Sequence, residues 1–457
     1  MTPLERDLGR LLGPQALRSG PAALDYLHDM TEMQGLGGHA DAIVAPASVE
    51  DLCRAVRFCC ERGVAMVPRG GGSGFAGGAV PLGGVVISTE QLNIIEPLTP
   101  DLWRIKVQSG VTTARIQEAA RTNGLYYPPD PGAPEQSQIG GNIACNAGGP
   151  HSFKYGVTGD WVTGLDVVID GGQLLRLGGA NRKDVAPYDL AALFTGSEGT
   201  LGIIAAAQLR LIPRPEVAWP LLAAYPDAAR GCAAIRRIYG YGLQPAIVEF
   251  LDEGALLASR RSFPDGLPPE ARFLVITEAD GSRAAALDLV GTLTEALAEG
   301  SNEIRLIDQP PAVRNLWRWR NGVSFAVRGV RGGKMSEDVA VPVERLESAI
   351  QLTDRVGRLH GLPTASWGHA GDGNLHSTFL VDANDRRQVE RAASAAEELF
   401  EGVRGLEGTA SGEHGLGLVK RDQLPLQLGS AEMRLQTGLK RLLDPSNLFN
   451  PGKKIVL

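Results

Sequence analysis

Cysteine is scarce in this sequence, and its spacing excludes two common kinds of site. The five cysteines are Cys53, Cys59, Cys60, Cys145 and Cys232, and no two of them form a Cys-x-x-Cys pair. This argues against a bound iron–sulfur cluster and against a zinc ribbon. Three of them share one amphipathic stretch, which is typical of free buried thiols in a reducing compartment. We therefore expect a cytoplasmic protein.

Long apolar runs and basic runs are also missing. No apolar stretch approaches the roughly 20 residues that a membrane-spanning helix needs, and charged residues interrupt residues 1–13, which is unlike a signal peptide. The formal net charge of −7 and the lack of a basic run disfavour a nucleic-acid partner. With 457 residues, the chain is long enough for two or three domains.

Glycine is over-represented and clustered. The chain has 58 glycines, well above the usual share of about 7%, and they concentrate in loops at residues 68–78, 137–149 and 196–202. Consecutive backbone N–H groups in such a loop can hold a pyrophosphate without a helix. Three loops of glycine and hydroxyl residues in one domain can line one dinucleotide, although a single loop of this kind is equally typical of a tight structural turn.

The first loop contains a G-x-G-x-x-G pattern at Gly72, Gly74 and Gly77. The dinucleotide fingerprint of the Rossmann fold requires a helix directly behind this pattern. Gly78 and Pro81 follow instead, so no helix begins there and an NAD site is disfavoured.

A stiff Pro-Arg-Pro connector at residues 213–215 predicts the first domain boundary. Beyond it, strands and helices alternate in the pattern of an antiparallel sheet backed by helices. We predict one domain at 1–215, a second at 216–430, and a tail at 431–457 that returns to the first domain.

Three of the seven histidines lie in two short glycine-rich motifs. One motif, GHAGDGNLH, contains His369 and His376, and the other, SGEHG, contains Glu413 and His414. Two neutral imidazoles and a carboxylate are a common ligand set for a divalent metal. The spacing of His369 and His376 is that of a loop turning into a strand rather than of a helix, so structural histidines remain an alternative.

These motifs together resemble the vanillyl-alcohol-oxidase class of FAD enzymes. The C-terminal half resembles its FAD-linked D-2-hydroxyacid dehydrogenase branch, which contains glycolate oxidase flavin subunits, D-lactate dehydrogenases and D-2-hydroxyglutarate dehydrogenases. The resemblance runs from about residue 40 to Lys453. It implies an α+β fold with an FAD-binding domain of this type and an antiparallel-sheet substrate cap. It also implies oxidation of a D-2-hydroxy acid, D-lactate or glycolate first and D-2-hydroxyglutarate as the alternative, by hydride transfer to flavin.

By this resemblance, the glycine loops hold FAD. The expected contacts are Arg69, Gly70, Gly71, Gly72, Ser73, Gly74, Pro131, Ser137, Gly140, Gly141, Asn142, Glu198, Gly199, Leu201, Gly202, Ile203 and Asn450. Members of the class often tether their flavin through a histidine, in some cases within the first loop. No histidine lies between residues 68 and 81, which favours noncovalent FAD.

The resemblance also implies that His369, His376 and Glu413 bind a divalent metal, with zinc the usual one and manganese or iron compatible with the same ligands. A metal acidifies a bound hydroxyl, and an imidazole with an ordinary pKa near 6.5 can accept its proton. His414 is therefore the expected base. Orientation of the loop at Glu413 is its alternative role.

The substrate carboxylate requires a cation, and residues 316–320 resemble the family's arginine helix. We assign Arg320, with Arg318 as the alternative register, because a guanidinium offers two parallel bonds to a carboxylate. Ser324 lies four residues on, on the same helix face, and is assigned to the substrate.

Lys334 and Asn374 complete the expected substrate contacts. The hydroxyglutarate branch places its lysine shortly before a strand like 338–342, where the nearest alignment puts Ser336. This departure leaves the larger diacid substrate open.

The chain has no cluster ligands of its own, so its electrons are expected to reach a separate acceptor. A quinone, an electron-transfer flavoprotein and an iron–sulfur subunit remain open, as do a homodimer and peripheral attachment to the inner membrane through a partner. Two other functions compete. A non-catalytic flavin-binding subunit would not need the histidine motifs, and an ether-lipid synthase of the same fold uses flavin without net oxidation, which the metal motif disfavours.

Overall fold

The structure, a computed structural model, describes residues 1–31, 35–264 and 266–457. The α-helices of these residues are α1 (Pro3–Leu12), α2 (Val49–Arg62), α3 (Thr113–Thr122), α4 (Ile139–Cys145), α5 (Ser152–Tyr155), α6 (Leu190–Phe194), α7 (Ala228–Gly240), α8 (Glu253–Ser259), α9 (Arg283–Ala298), α10 (Pro310–Arg331), α11 (Leu346–His360), α12 (Arg386–Gly405), α13 (Leu424–Gln427) and α14 (Ser430–Leu443).

The strands, numbered in the same way, are β1 (Ala42–Val44), β2 (Met66–Arg69), β3 (Val85–Ser88), β4 (Arg104–Gln108), β5 (Leu125–Tyr126), β6 (Val162–Ile169), β7 (Gln173–Gly178), β8 (Ile203–Arg210), β9 (Ile212–Pro213), β10 (Val217–Tyr225), β11 (Ile247–Leu251), β12 (Phe273–Gly281), β13 (Glu303–Leu306), β14 (Gly333–Ala340), β15 (Thr364–His369) and β16 (Asn374–Val381).

Local signals set the ends of many of these elements. Helix α2 begins after Ser48, whose Oγ accepts a hydrogen bond from the backbone N–H of Asp51, and it ends at Gly63, whose φ of 64° is left-handed. Such a position favours glycine because glycine has no Cβ. Both ends agree with the sequence pattern.

The chain forms two compact units. The first comprises Met1–Gly149, Gly156–Arg214 and Glu413–Leu457, and the second comprises Pro150–Tyr155 and Pro215–Gly412. Within the described part of the chain, no helix is both long and apolar enough to cross a membrane.

The first unit contains a parallel sheet of order β1-β3-β2, an antiparallel sheet of order β4-β8-β6-β7 and the short pair β5-β9. Helices α1 and α2 bury their apolar faces in one core with the parallel sheet, and Leu448 and Phe449 of the C-terminal segment join that core. The Met66 N–H donates to the Leu448 carbonyl at 2.6 Å, and the Asn450 N–H donates to the Met66 carbonyl at 2.7 Å. The C-terminal segment therefore lies beside β2.

The last segment of the first unit begins at Glu413, earlier than the tail expected at 431. The carboxylate of Glu198 accepts hydrogen bonds from the backbone N–H groups of Leu416 at 3.0 Å and Gly417 at 2.7 Å. These bonds attach residues ahead of 431 to the third glycine-rich loop.

The second unit is built on one antiparallel sheet of order β13-β10-β12-β11-β15-β16-β14. Side chains alternate between the two faces of a strand. Helices α7, α9, α11 and α12 pack on one face, and α8 and α10 pack on the other. The expected antiparallel sheet backed by helices is confirmed.

Strand β15 is absent from the sequence-based expectation, which treated residues 368–374 as a loop. The structure places His369 at the end of β15, where it pairs in register with Glu249 of β11. The connection to β16 is a single turn at Ala370–Asp372. The glycines Gly368 and Gly373 favour a loop in the sequence pattern, whereas the backbone hydrogen bonds of β15 depend on partner strands that the local pattern does not show.

Candidate functional site

The first glycine-rich loop lies directly against the second. A Cβ atom on Gly71 would lie 1.9 Å from the carbonyl oxygen of Gln136, and one on Gly70 would lie 3.6 Å from the Cα of Gly141. The Nε2 of Gln136 donates to the carbonyl of Gly71 at 2.8 Å. Glycine permits this close approach, so the two loops present backbone groups rather than side chains.

The third loop joins the other two. The Glu198 N–H donates to the carbonyl of Ala144, in α4, at 2.7 Å. A Cβ on Gly199 would lie 3.1 Å from Pro68, the first residue of the first loop. All three loops therefore meet within the first unit.

Arg69 uses its side chain to hold the N-terminal part of the first unit. Its Nη1 and Nη2 atoms donate to the carbonyls of His28 and Asp25, each at 2.6 Å. The guanidinium is therefore engaged, and the part of residues 69–74 that suits a pyrophosphate is the backbone. A Cβ on Gly74 would have no atom within 4 Å, which leaves room for a ligand.

Ser137 and Asn142 are joined through a residue that the sequence reasoning missed. The Ser137 and Thr113 hydroxyl oxygens lie 2.8 Å apart, and the Asn142 Nδ2 donates to Thr113 Oγ1 at 2.7 Å. Thr113 is the first residue of α3, and no local pattern in the sequence marks it as a site residue. Around them, Gly140 donates to the Ser109 carbonyl at 2.9 Å, and Gly141 faces open space.

The side chains of Glu198 and Asn450 form hydrogen bonds and an ion pair with residues of the C-terminal segment. The Glu198 carboxylate also lies 3.1 Å from Lys454 Nζ. Asn450 Nδ2 donates to the carbonyls of Gly78 at 3.0 Å and Glu198 at 2.8 Å, and its Oδ1 accepts from Lys453 Nζ at 2.6 Å. These side chains fix the walls formed by the loops.

The remaining expected cofactor residues are placed as follows. Ile203 packs in the core of the first unit, Leu201 and Gly202 are buried, Pro131 is buried, and Gly72 and Ser73 are half-buried. The loops fit a dinucleotide, because close packing excludes side chains at Gly71 and Gly140 while Gly74 and Gly141 leave open space beside the backbone.

In the second unit, one face of the sheet carries a row of polar and aromatic side chains. The register pairs Glu249 with His369, His376 with Trp367, and His376 with Asp338. Directly opposed residues of antiparallel strands share a face. The rings of His369 and His376 meet edge to face, with centroids 5.7 Å apart. The two imidazoles singled out in the sequence therefore lie together.

Glu249, in the centre of β11, is the main site residue that sequence reasoning missed. It is 0% exposed. One carboxylate oxygen bonds His369 Nδ1, and the other accepts from Arg320 Nε at 2.5 Å. Burial alone would raise the pKa of Glu249, but Arg320 and His369 outweigh it and hold this pKa below its ordinary value. The available signal was a lone acid in the apolar strand Ile-Val-Glu-Phe-Leu.

The two candidate arginines differ in placement. Arg320 is 7% exposed and faces the sheet, whereas Arg318 is exposed on α10. The hydrogen bond from Arg320 to Glu249 uses Nε, and the ion pair uses Nη2 of the same edge. The Nη1 atom has no hydrogen-bond partner among the described residues. The Nη1 side of the guanidinium can therefore bind a carboxylate other than that of Glu249.

Asn374 links the two glycine-rich motifs through Asp338. Its Nδ2 donates to Asp338 Oδ1 at 2.6 Å and to the Val339 carbonyl at 3.1 Å, and Ser411 Oγ donates to the other Asp338 oxygen at 3.1 Å. A Cβ on Gly412 would lie 1.9 Å from Asn374 Nδ2. Asn374 Oδ1 is buried and has no partner in the described chain.

Lys334 and Ser324 also meet on this side of the sheet. Lys334 Nζ donates to Ser324 Oγ at 2.5 Å and lies 4.9 Å from the ring centroid of Trp367. Burial lowers the pKa of Lys334 to about 8. Ser336 instead bonds Thr378, with 2.7 Å between the hydroxyl oxygens. Lys334, rather than Ser336, therefore accompanies Ser324.

Glu413 and His414 open the last segment of the first unit, and the peptide bond after Gly412 joins them to the second unit. The His414 ring lies 4.8 Å from that of Phe75, a residue of the first glycine-rich loop. Its Nε2 is 3.9 Å from Glu413 Oε1. His414 is thus close to the loop that suits a pyrophosphate.

Comparison with known families decides the nature of these two regions. The family model "FAD binding domain" matches residues 40–178, and "FAD linked oxidases, C-terminal domain" matches residues 214–454. The chain belongs to the FAD-linked oxidases. The first match covers two of the three glycine loops, and the second covers the entire polar row. The resemblance inferred from the motifs is confirmed, and the protein is an FAD oxidoreductase.

Three relatives of this FAD-linked oxidase match nearly end to end. Glycolate oxidase subunit GlcD of Bacillus subtilis (strain 168) is 34% identical over 454 residues, which cover 98% of this chain and 96% of that protein. D-lactate dehydrogenase of Anaerostipes hadrus is 31% identical, with coverages of 94% and 92%. D-2-hydroxyglutarate dehydrogenase of Xanthomonas citri pv. viticola is 34% identical, with coverages of 90% and 88%.

Solved structures agree on the fold. p-Cresol methylhydroxylase with substrate bound matches with a TM-score of 0.82 at 17% identity, covering 100% of this chain and 98% of that one. 4-Ethylphenol oxidase from Gulosibacter chungangensis matches with a TM-score of 0.79 at 18% identity, covering 99% and 96%. The predicted vanillyl-alcohol-oxidase fold is confirmed.

Proposed function

We propose that this FAD-linked oxidase converts a small D-2-hydroxy acid, D-lactate or glycolate, into the 2-oxo acid, and that its FAD is bound noncovalently. The observation that carries the proposal is the meeting of His369, His376 and Arg320 on one face of the sheet in the second unit. FAD, when bound, supplies the acceptor for the hydride that leaves the substrate Cα. The names of the relatives support the substrate class.

His369, His376 and Glu413 are proposed to hold a divalent metal, with zinc as our choice. The bond from His369 Nδ1 to Glu249 supports this role, because metal-binding histidines usually engage a carboxylate through their other ring nitrogen. The His376 ring lies 5.7 Å from that of His369, and Glu413 follows Gly412, which packs against Asn374. Three protein ligands leave a position for the substrate.

Binding and proton transfer are proposed for the neighbouring groups. The Nη1 edge of Arg320 binds the substrate carboxylate by charge-assisted bonds. Asn374 Oδ1, buried without a partner in the described chain, is proposed as a polar contact to the substrate. His414 takes the hydroxyl proton, since an imidazole is an effective base near neutral pH.

A second candidate substrate, D-2-hydroxyglutarate, is favoured by one observation. Lys334 lies over Trp367 and bonds Ser324, and no carboxylate pairs with it in the described chain. A half-buried cation without an acid suits the second carboxylate of a diacid. Replacing Lys334 with Met separates the candidates, because it should raise KM for the diacid at least tenfold and leave KM for D-lactate within about twofold.

The electrons are proposed to leave through a separate acceptor, for which a quinone, an electron-transfer flavoprotein and an iron–sulfur subunit all remain candidates. All five cysteines are free, and no two of them form a Cys-x-x-Cys pair, so they are unlike the ligands of an iron–sulfur cluster and fit a reducing compartment. A homodimer is proposed without a specific interface.

The substrate proposal is tested by anaerobic reduction of the flavin. We expect D-lactate or glycolate to bleach the flavin spectrum and L-lactate, the matched control, to leave it unchanged. If every D-2-hydroxy acid fails, including D-2-hydroxyglutarate, the chain is better explained as a non-catalytic flavin subunit or as a synthase. Acid precipitation should release the yellow cofactor; colour in the pellet would contradict noncovalent FAD.

The metal and base roles are separated by two variants. His376→Ala should lose metal content and activity together, because a ligand is removed. His414→Ala should lose activity and keep the metal, because the proposal assigns this residue as the base and not as a ligand. Elemental analysis and flavin-reduction rates provide the comparison. Full wild-type activity after exhaustive chelation would remove the metal from the proposal.

A further inference from the structure

We infer that Glu249 is a positioning residue that fixes the tautomer of His369 and at the same time holds Arg320 against the sheet. It thereby couples the proposed metal ligand to the proposed carboxylate anchor. The inference rests on the proposed function and adds to it a residue in β11 that contacts neither the metal nor the substrate in that scheme.

Glu249 is a charged side chain in a fully buried and largely apolar position. It is 0% exposed, lies between Val248 and Phe250, and opposes Ile276 of β12 across the ladder. An ionised carboxylate in such surroundings is costly unless it is paired and hydrogen-bonded. Here both oxygens are used, one by His369 and the other by Arg320. The carboxylate is therefore fully committed to these two residues.

The bond to His369 has a chemical consequence. An ionised carboxylate only accepts hydrogen bonds, so the hydrogen of a neutral His369 must be on Nδ1. The lone pair is then on Nε2, which is the nitrogen that the proposed metal would use. Glu249 therefore selects the tautomer that a ligand requires, and the strand register of Glu249 with His369 fixes the ring beside that of His376.

Because Arg320 and His369 both donate to residue 249, this residue needs two acceptor oxygens, as a carboxylate has. Glutamine has almost the same shape as glutamate but has one acceptor oxygen instead of two. In Glu249→Gln, the charged Arg320 should take that oxygen, because bonds to charged groups are the stronger ones. The amide NH₂ then faces His369 and selects the opposite tautomer, with hydrogen on Nε2. Metal affinity should fall although every ligand is present.

Removing Arg320 should reverse this loss. In Glu249→Gln/Arg320→Met, the glutamine oxygen is free to accept from His369 Nδ1–H, and no unpaired buried cation remains. Zinc affinity should return towards the wild-type value. Arg320→Met alone should keep zinc affinity, because Glu249 still accepts from His369, while KM for the hydroxy acid rises.

The experiment titrates zinc into chelator-stripped, FAD-loaded protein against a chromophoric chelator. Changes to groups that support a metal ligand typically cost about 10- to 100-fold in affinity, so we expect a loss in this range for Glu249→Gln. Arg320→Met should stay within about threefold of wild type, and the double variant should recover at least tenfold over Glu249→Gln. FAD content and circular dichroism check the fold of each variant.

A second comparison covers the case in which Glu249→Gln does not fold. Glu249→Gln/Arg320→Met and Glu249→Leu/Arg320→Met are both uncharged at this position, and only the first keeps an acceptor for His369. The leucine form should bind zinc at least tenfold more weakly.

The outcomes separate the inference from the proposed function. A wild-type protein that binds no zinc overturns both the proposed metal site and the inference. A wild-type protein that binds zinc, with Glu249→Gln binding it equally well, overturns the inference alone. Equal zinc affinity of the glutamine and leucine double variants does the same.

Discussion

Lys440 is the best place to test how the first unit holds its glycine loops. Its Nζ donates to the carbonyls of Thr200 at 2.7 Å and Phe449 at 2.8 Å, and to the carboxylate of Asp444. Lys440 is 1% exposed and Asp444 is 0% exposed. All three ammonium hydrogens are therefore used inside the protein, between the third glycine loop and the C-terminal segment.

Lys440→Met keeps the unbranched side chain as far as Cε and removes the charged ammonium group. Asp444 would keep its bonds from the N–H groups of Leu448 and Phe449, each 2.8 Å, but would lose its buried counter-charge. Breaking a buried pair by removing one partner costs about 3–5 kcal/mol. Asp444→Asn in the same protein should recover part of this cost, because it removes the unpaired charge, with a coupling of about 0.5–3 kcal/mol.

The assay is urea unfolding followed by the fluorescence of released FAD, which reports on the first unit. An exposed pair on α3, in the same unit, provides the control: Arg121 and Glu118 are each 56% exposed, and Arg121→Met should cost less than about 0.5 kcal/mol. A cost below about 1 kcal/mol for Lys440→Met would refute the reasoning. A double variant no more stable than the single one would contradict the coupling.

Three further predictions follow from the sites. Arg320→Lys should lower kcat/KM by about 10- to 100-fold, equivalent to about 1.4–2.8 kcal/mol, with FAD content unchanged, while Arg318→Lys should be neutral; the opposite result would shift the register by two. Gly71→Ala should abolish FAD retention on gel filtration, because its Cβ would lie 1.9 Å from the carbonyl oxygen of Gln136, and full retention would contradict the packing of the loops. Burial lowers the pKa of Lys453 from its ordinary value of 10.5 to about 7. Between these two pH values the unfolded state binds more protons than the folded state, so the free energy of unfolding should rise with pH. Lys453→Met should flatten this rise in the urea midpoint, and an unchanged slope would contradict the prediction.

The sequence predicts local features of this protein well. The capping residue Ser48 and the glycine Gly63 mark the ends of α2, and the turn residues Asp170, Gly171 and Gly172 join the paired strands β6 and β7. Glycine clusters identified the loops, because close backbone approach leaves a compositional trace. Strand β15 was missed, because its hydrogen bonds come from β11 and β16, more than a hundred residues away in one case.

The site itself shows the same limit. Histidines and arginines in unusual motifs are visible in the sequence, so His369, His376 and Arg320 were found. Glu249 and Thr113 were not, because each owes its role to partners distant in the chain: His369 lies 120 residues from Glu249, and Asn142 lies 29 from Thr113. The local signal at Glu249, a lone acid in an apolar strand, does not reveal that His369 and Arg320 are its partners.

Two networks of buried charges, Lys440 with Asp444 and Glu249 with Arg320, occupy positions where apolar side chains would carry a smaller desolvation cost on folding. A well-packed apolar replacement of a buried ion pair is often neutral or stabilising, so stability alone does not account for Lys440 with Asp444 or for Glu249 with Arg320. Each network instead fixes directions that packing does not. Lys440 sets the position of two carbonyls at the third glycine loop and the C-terminal segment, and Glu249 sets one ring nitrogen and one guanidinium edge. If this reasoning is right, Glu249→Leu/Arg320→Met should be at least as resistant to urea as the wild type and still fail to turn over a D-2-hydroxy acid, because it lacks both the proposed carboxylate anchor and the acceptor that orients His369.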